Sequence, residues 1–235
     1  MEKKRAMDIY GGKDPRDEPV YTIPEAARYL RIPVATLRSW VLGRQYPRQD
    51  SQAYFEPLIK LPEPQYNQLS FHNLVESHLL RALRQIHQIR IADIRAAFEI
   101  AGKHLGVDRL LLSKDLLLNS QTRDLLIERY GELINLSLGG QLAMKAILYE
   151  YLERVEWDLK MPVRLFPIYG ERAGHKVIVI DPLISFGRPV ISSKKISTSV
   201  IAERIDSGES PQSIADDYDL RPQEVMEAVF YEKAA

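Results

Sequence analysis

Apolar positions first fall into a helical rhythm just after Thr22. Ala26, Ala27 and Leu30 form one face, and Thr22-Ile23-Pro24-Glu25 has the form of an N-terminal capping box. Arg31-Ile32-Pro33 predicts a tight connection, because proline disfavours helix at the residue before it and is tolerated in a first turn. A second short helix follows over 34–42, with Val34, Leu37 and Val41 on one side and Thr36, Arg38 and Ser39 directed elsewhere. Gly43 and Pro47 end it. Two short helices joined this closely predict a helix-turn-helix unit, whose second helix enters the major groove of DNA.

The rhythm then changes. Tyr54, Phe55, Leu58, Ile59 and Leu61 precede Pro62-Glu63-Pro64, with Tyr66 and Leu69 beyond, which predicts a hairpin around a proline-rich turn, the wing of a winged helix. Ser70 caps a helix bearing Val75, Leu79, Leu83 and Ile86, and another carries Ile94, Phe98 and Ala101. The middle is less periodic: 110–118 and 125–138 read as short strands and 141–157 as a helix whose stripe (Met144, Leu148, Tyr151, Leu152, Val155) suits a core or dimer face. From Pro162, strands are predicted over 163–169 and 176–180. Three helices follow: one around Ile201, Ala202 and Ile205; one capped by Ser210-Pro211; and one opened by Pro222. The predicted class is α+β: a winged helix-turn-helix, a central strand-helix region, and a C-terminal β-hairpin with a three-helix, helix-turn-helix-like unit.

Charge separates the two ends. The whole chain balances 32 basic against 32 acidic residues. Residues 28–48, however, hold Arg28, Arg31, Arg38, Arg44 and Arg48 and no acid, whereas 202–235 hold nine acids against three bases. Binding DNA requires neutralising phosphates, which the first segment can do and the second is poorly suited to do. A solvated face is the plainer reading of the same arginines. Trp40 reads as a packing anchor rather than a base contact.

Residues 21–101 resemble the DNA-binding domain of MerR-type transcription regulators. Tyr21-Thr22-Ile23 with Glu25 and Ala26, Thr36-Leu37-Arg38, the Ser70-led helix and Ile91-Ala92-Asp93-Ile94-Arg95 carry the match. The resemblance implies that Thr36, Arg38 and Ser39 face DNA; charge and position add Arg28, Arg44 and Lys60 as phosphate contacts. The chain lacks that family's long C-terminal dimerisation helix and effector cysteines, and its expected wing offers Lys60, Gln65 and Asn67 rather than arginines.

A second resemblance covers the C-terminal fifty residues, to a small bacterial domain long labelled as of unknown function and found in many type II antitoxins. It rests on Gly187, Pro189 and Ile191; Ile196; Gly208, Ser210 and Ile214; Tyr218 and Leu220; and Val225, Ala228 and Tyr231. The family's usual Gly-Thr-Arg step is replaced by Lys194-Lys195-Ile196-Ser197. Together the two parts look like a VapB-type antitoxin paired with a PIN-domain ribonuclease toxin, and the resemblance implies Gly187, Arg188, Pro189, Lys194 and Tyr218 as partner-binding residues. An acidic compact module complements a toxin surface built to hold RNA.

The resulting expectation is a homodimeric, cytoplasmic antitoxin that neutralises the toxin and represses its own operon by binding operator DNA. Its segments are a disordered leader (1–18), a DNA-binding domain (19–103), a central dimerisation region (104–161) and an antitoxin domain (162–235). The alternative is a stand-alone MerR-like regulator with a C-terminal dimerisation or sensor domain. An enzyme is disfavoured: no phosphate-cradling Gly-rich loop, Gly-x-Ser-x-Gly elbow or cysteine nucleophile is present. Cofactors and metals are expected to be none. Asp216, Asp217 and Asp219 read as a solvated helix end, His78 as packed beside Leu79, and His72, His87, His104 and His175 as exposed. No apolar run reaches the ~18 residues of a membrane span.

Overall fold

Thr22 closes the predicted capping box in the computed structural model: its hydroxyl accepts from the Glu25 amide, and the Glu25 carboxylate accepts from the Thr22 amide at 2.9 Å. The structure describes residues 11–48, 51–87, 94, 109–112, 150–158, 161–167 and 176–233. Strand β1 (Tyr21–Thr22) leads into α1 (Ile23–Leu30), which buries Ile23, Ala26, Ala27, Tyr29 and Leu30. Arg31 adopts left-handed angles (φ 54°) and returns its amide to the carbonyls of Ala27 and Arg28, ending the helix. After Pro33, α2 (Val34–Leu42) buries Leu37, Trp40 and Val41. Val34, expected on the inner face, is 43% exposed.

The hairpin lies elsewhere than predicted. Strands β2 (Arg44–Arg48) and β3 (Ser51–Phe55) pair antiparallel directly after α2, while Pro64–Tyr66 is a 3-10 turn. Gly43 (φ 72°) makes this possible: a Cβ there would lie 2.3 Å from the Phe55 carbonyl oxygen, so only glycine lets the strands close against the helix end. Pro47 is tolerated because a two-stranded sheet consists of edges alone. The hydroxyl of Tyr54 donates to the Leu42 carbonyl at 2.8 Å, and the amides of Leu58 and Ile59 donate to that of Trp40, tying the hairpin to α2. The segment after the proline turn supplies β4 (Gln68–Leu69), which pairs not with β3 but with β1.

Helix α3 (Phe71–His87) is the core of the front half; Phe71, Leu74, Val75, Leu79 and Leu80 are fully buried. Ser70 and Asn73 cap it reciprocally. Residues 11–18, expected to be disordered, are packed onto it instead. The His72 amide donates to the Arg16 carbonyl, and the His72 ring donates from Nδ1 to Asp17 at 2.7 Å. His72 is therefore buried, not exposed. Its hydrogen bond holds the Asp17 carboxyl below its ordinary pKa. Arg109 adds a fork onto buried Glu76 (3.0 and 2.7 Å), which Asn73 also serves.

Most of the central region lies outside the described residues, including the strand expected at 125–138, all but Ile94 of the apolar positions of the helix bearing Phe98, and residues 141–149 of the helix bearing Met144. Leu110–Leu112 is a 3-10 turn rather than strand. The helix expected to run to Trp157 gives way to β5 (Val155–Asp158), which pairs with β6 (Met161–Leu165) across a bulge at Glu156/Trp157. β-branched Val155 and aromatic Trp157 favour a pleated ribbon, and the partner strand decided it. Tyr151, Leu152, Val155, Leu165 and Ile180 join the core built by α1, α2 and α3.

The C-terminal part has its own core: Ile178 and Ile191 from β7 (Ile178–Val179) and β8 (Val190–Ile191), Ile201 from α4 (Thr198–Asp206), Ile214 from α5 (Pro211–Tyr218), and Val225, Ala228 and Tyr231 from α6 (Pro222–Lys233). Ser210 caps α5 by accepting from the Ser213 amide, as its sequence predicted. Among the described residues no helix is long and apolar enough to cross a membrane, and no cluster of three or more His, Asp or Glu could hold a metal ion. Asp216, Asp217 and Asp219 are exposed and take Gln212, Arg204 and Lys194 as separate partners.

Candidate nucleic-acid interface and partner loop

The inward packing of Leu37, Trp40 and Val41 decides what α2 can offer outward. Arg38 is exposed, and Thr36 and Ser39 are half-buried beside it. Arg44, exposed at the root of the hairpin, extends the cationic surface. Arg48 stands at the far end of β2, on the strand facing the β3 terminus. The hairpin thus carries arginines in its own backbone run, which the expected placement around Pro62-Glu63-Pro64 had hidden. Lys60 is exposed on the loop between β3 and the 3-10 turn, where its carbonyl accepts from Asn73. Among the described residues Arg38, Arg44 and Lys60 form no ion pair.

The arginines of α1 are used differently. Arg28 pairs with Glu232 of α6, and Arg31 donates to the Tyr231 carbonyl while stacking over the Tyr231 ring at 5.1 Å. Burial pulls the Arg31 pKa below its ordinary value. Tyr231, itself buried and its phenol pKa pushed up by burial, donates to the Tyr29 carbonyl at 3.1 Å. The two ends, read from their charges as facing different partners, touch each other here. Arg28 is accordingly a joint between modules, with its charge already met by a carboxylate.

The five residues expected at the partner surface also divide. Gly187 and Pro189 are buried, the first accepting from the Tyr21 hydroxyl and the second from Thr198. Lys194 pairs with Asp219. Tyr218 is half-buried under the guanidinium of Arg204, 5.1 Å from its ring centre. Arg188 alone of the five projects freely: it is exposed and, among the described residues, has no ion pair. Beside it stands a residue outside the family motif. Phe186 is 69% exposed with left-handed angles (φ 53°), and Leu183 nearby is also exposed. An aromatic next to Gly187 in a turn segment was the available signal.

Comparison with known proteins matches two family models to this architecture. One, described as "Putative DNA-binding HTH domain", spans residues 19–98; the other, "Protein of unknown function (DUF433)", spans 178–231. Over 232 residues the chain is 30% identical to a protein of Mycobacterium tuberculosis named "Putative antitoxin VapB45", covering 91% of this chain and 93% of that one. This chain belongs to the VapB45 family. A further relative from the same organism, "Uncharacterized protein Rv2308", is 23% identical over 229 residues, covering 92% and 91% of the two chains. The X-ray crystal structure of Rv2018 from Mycobacterium tuberculosis superposes with a TM-score of 0.64 at 23% identity, over 91% of this chain and 98% of that one, a likeness of fold. In this member of the VapB45 family the helix-turn-helix match takes in α1, α2, the β2–β3 hairpin and α3, and the second match takes in the whole C-terminal core.

Proposed function

We propose that this protein is the antitoxin of a type II pair, neutralising a PIN-domain ribonuclease by direct contact and repressing its own operon by binding operator DNA. The near full-length similarity to the VapB45 antitoxin carries the reading. In it α2 enters the major groove, Thr36, Arg38 and Ser39 meet base edges and backbone, and Arg44 and Lys60 hold phosphates. The β2–β3 hairpin serves as the wing, in the manner of the MerR-like proteins that the front half resembles. Arg28 drops out of the phosphate-binding set because Glu232 already neutralises it. A homodimer presenting two such units would read two half-sites.

DNA binding is tested by titrating the operon's promoter fragment. Arg38→Ala should weaken binding by about 1–3 kcal/mol, and the logarithm of affinity should fall steeply with the logarithm of salt concentration. A flat salt response would remove DNA from the account. Neutralisation is tested by co-expressing the chain with the products of its neighbouring genes, identifying any PIN-domain ribonuclease that co-purifies and assaying its RNA cleavage; undiminished cleavage in the presence of the purified protein rejects the pairing.

A further inference from the structure

Residues 181–188 form a turn held in an unfavourable conformation from both ends. Ser185 and Phe186 both occupy left-handed backbone space (φ 49° and 53°), which residues with a Cβ avoid. The buried Asp181 carboxylate braces the first half, accepting from the Leu183 amide at 2.8 Å and from Arg164 at 2.7 Å. The Ile184 amide donates to the Asp181 carbonyl, the Gly187 amide to Ile184 and the Arg188 amide to Ser185. Tyr21, from the far end of the chain, fixes the second half through the Gly187 carbonyl. All this bracing holds a phenyl ring out in water, with exposed Leu183 and the unpaired guanidinium of Arg188 beside it. Strained residues maintained by a surrounding network concentrate at functional sites. An aromatic and an arginine are the residue types that dominate protein interfaces. Because the turn is already fixed, docking it loses little conformational entropy.

We propose that Phe186 is the anchor by which this protein seats on a folded partner, its ring entering an apolar pocket and Arg188 pairing with a carboxylate on the pocket's rim. The inference rests on the proposed pairing with a PIN-domain ribonuclease and names the contact that makes it. A protein fits better than nucleic acid, because the module that carries the turn, residues 178–231, is acidic, with nine acids against five bases. The other expected partner residues are engaged internally, Lys194 with Asp219 and Tyr218 with Arg204, which leaves this turn as the free feature of that set.

The full chain and the PIN-domain ribonuclease proposed as its partner are purified separately, and their affinity is measured by calorimetry for the wild type, Phe186→Ala and Phe186→Gly. Both variants should bind on the order of 30-fold more weakly or worse. Phe186→Gly, which suits the left-handed backbone, should melt no lower than the wild type, so its loss of binding cannot be a folding defect. Wild-type-like affinity in both variants overturns the anchor while leaving the pairing intact. Conversion of a dimer to a monomer with ribonuclease affinity unchanged assigns the ring to a second copy of this chain and overturns it as well. If the wild type itself does not bind the ribonuclease, the pairing fails, and the anchor with it.

Discussion

The hydroxyl of Tyr21 donates a 3.0 Å hydrogen bond to the carbonyl oxygen of Gly187, joining the start of the helix-turn-helix to a turn 166 residues further on. The Tyr21 ring also meets Tyr29 edge-on at 6.2 Å, and Tyr29 in turn receives the Tyr231 hydroxyl. Strand β1 and helix α1 are therefore each clasped by the C-terminal module, with Arg28 and Arg31 adding charge to the same joint. A shift in the 181–188 turn would be felt at the first residue of the DNA-binding unit.

Gly187→Ala tests how tight that clasp is. A Cβ at this position would lie 1.9 Å from the Tyr21 hydroxyl oxygen, on a backbone (φ 75°) that alanine avoids. The substitution should cost about 2–4 kcal/mol, visible as a lowered melting temperature. Tyr21→Phe alone should cost about 1–2 kcal/mol by leaving a buried carbonyl unpaired. Combining them removes the clashing atom, so the double variant should be less destabilised than the two costs added together.

Arg28 and Arg38 should separate stability from DNA binding. Arg28→Ala removes a part-buried ion pair whose Glu232 carboxylate is only 9% exposed, and should lower stability by about 1–3 kcal/mol, while the salt dependence of operator binding stays unchanged. Arg38→Ala should change stability by no more than about 0.5 kcal/mol and reduce the salt slope by about one. A salt slope lowered by Arg28→Ala and left unchanged by Arg38→Ala would place α1, rather than α2, against the phosphates.

Acid should destabilise the fold through His78. Its ring is fully buried, donates from Nε2 to the Tyr151 carbonyl at 3.1 Å and stacks on Tyr151 at 4.8 Å. Burial pushes its pKa from 6.5 down to about 3. Between those values the unfolded chain takes up a proton that the folded one refuses, so stability falls as pH drops below 6.5 and this contribution is exhausted near 3. The slope from this residue should approach one proton, about 1.4 kcal/mol per pH unit. Urea titrations from pH 7 to 4 should show it, and His78→Gln should flatten it. Asp17, held below its ordinary pKa by the hydrogen bond from His72, adds an acid loss at lower pH, as protonation removes its charge.

Deleting residues 1–18 should expose His72 and strip Asp17 from Arg109. The truncated chain should melt several degrees lower, equivalent to about 1–3 kcal/mol. An unchanged melting temperature would mean that the packing of 11–18 contributes no net stability.

Local chemistry explains which elements could be read in advance. The capping box at Thr22, the N-cap at Ser210, the tight connection at Arg31-Ile32-Pro33 and the buried stripe of α1 all follow from residues within a turn of one another. The hairpin was displaced because Gln45-Tyr46-Pro47-Arg48 has neither apolar alternation nor a strand-like composition; its pairing with Ser51–Phe55 depends on the room that Gly43 leaves. The strand at Val155–Asp158 is hidden in the sequence because Tyr151, Leu152 and Val155 also suit a helical stripe.

The order of amino acids alone was enough to specify the two short front helices, the capped helices at the rear, the cationic and acidic ends and the absence of cysteine, since each depends on neighbours along the chain. Which arginine is free and which is paired, that His72 is buried, that Gly187 and Pro189 are scaffold, and that Phe186 stands in solvent were settled by contacts between residues up to two hundred positions apart. No local periodicity encodes such contacts, because they arise only when separate elements bury their apolar faces against one another and their remaining polar groups must find partners across the joint.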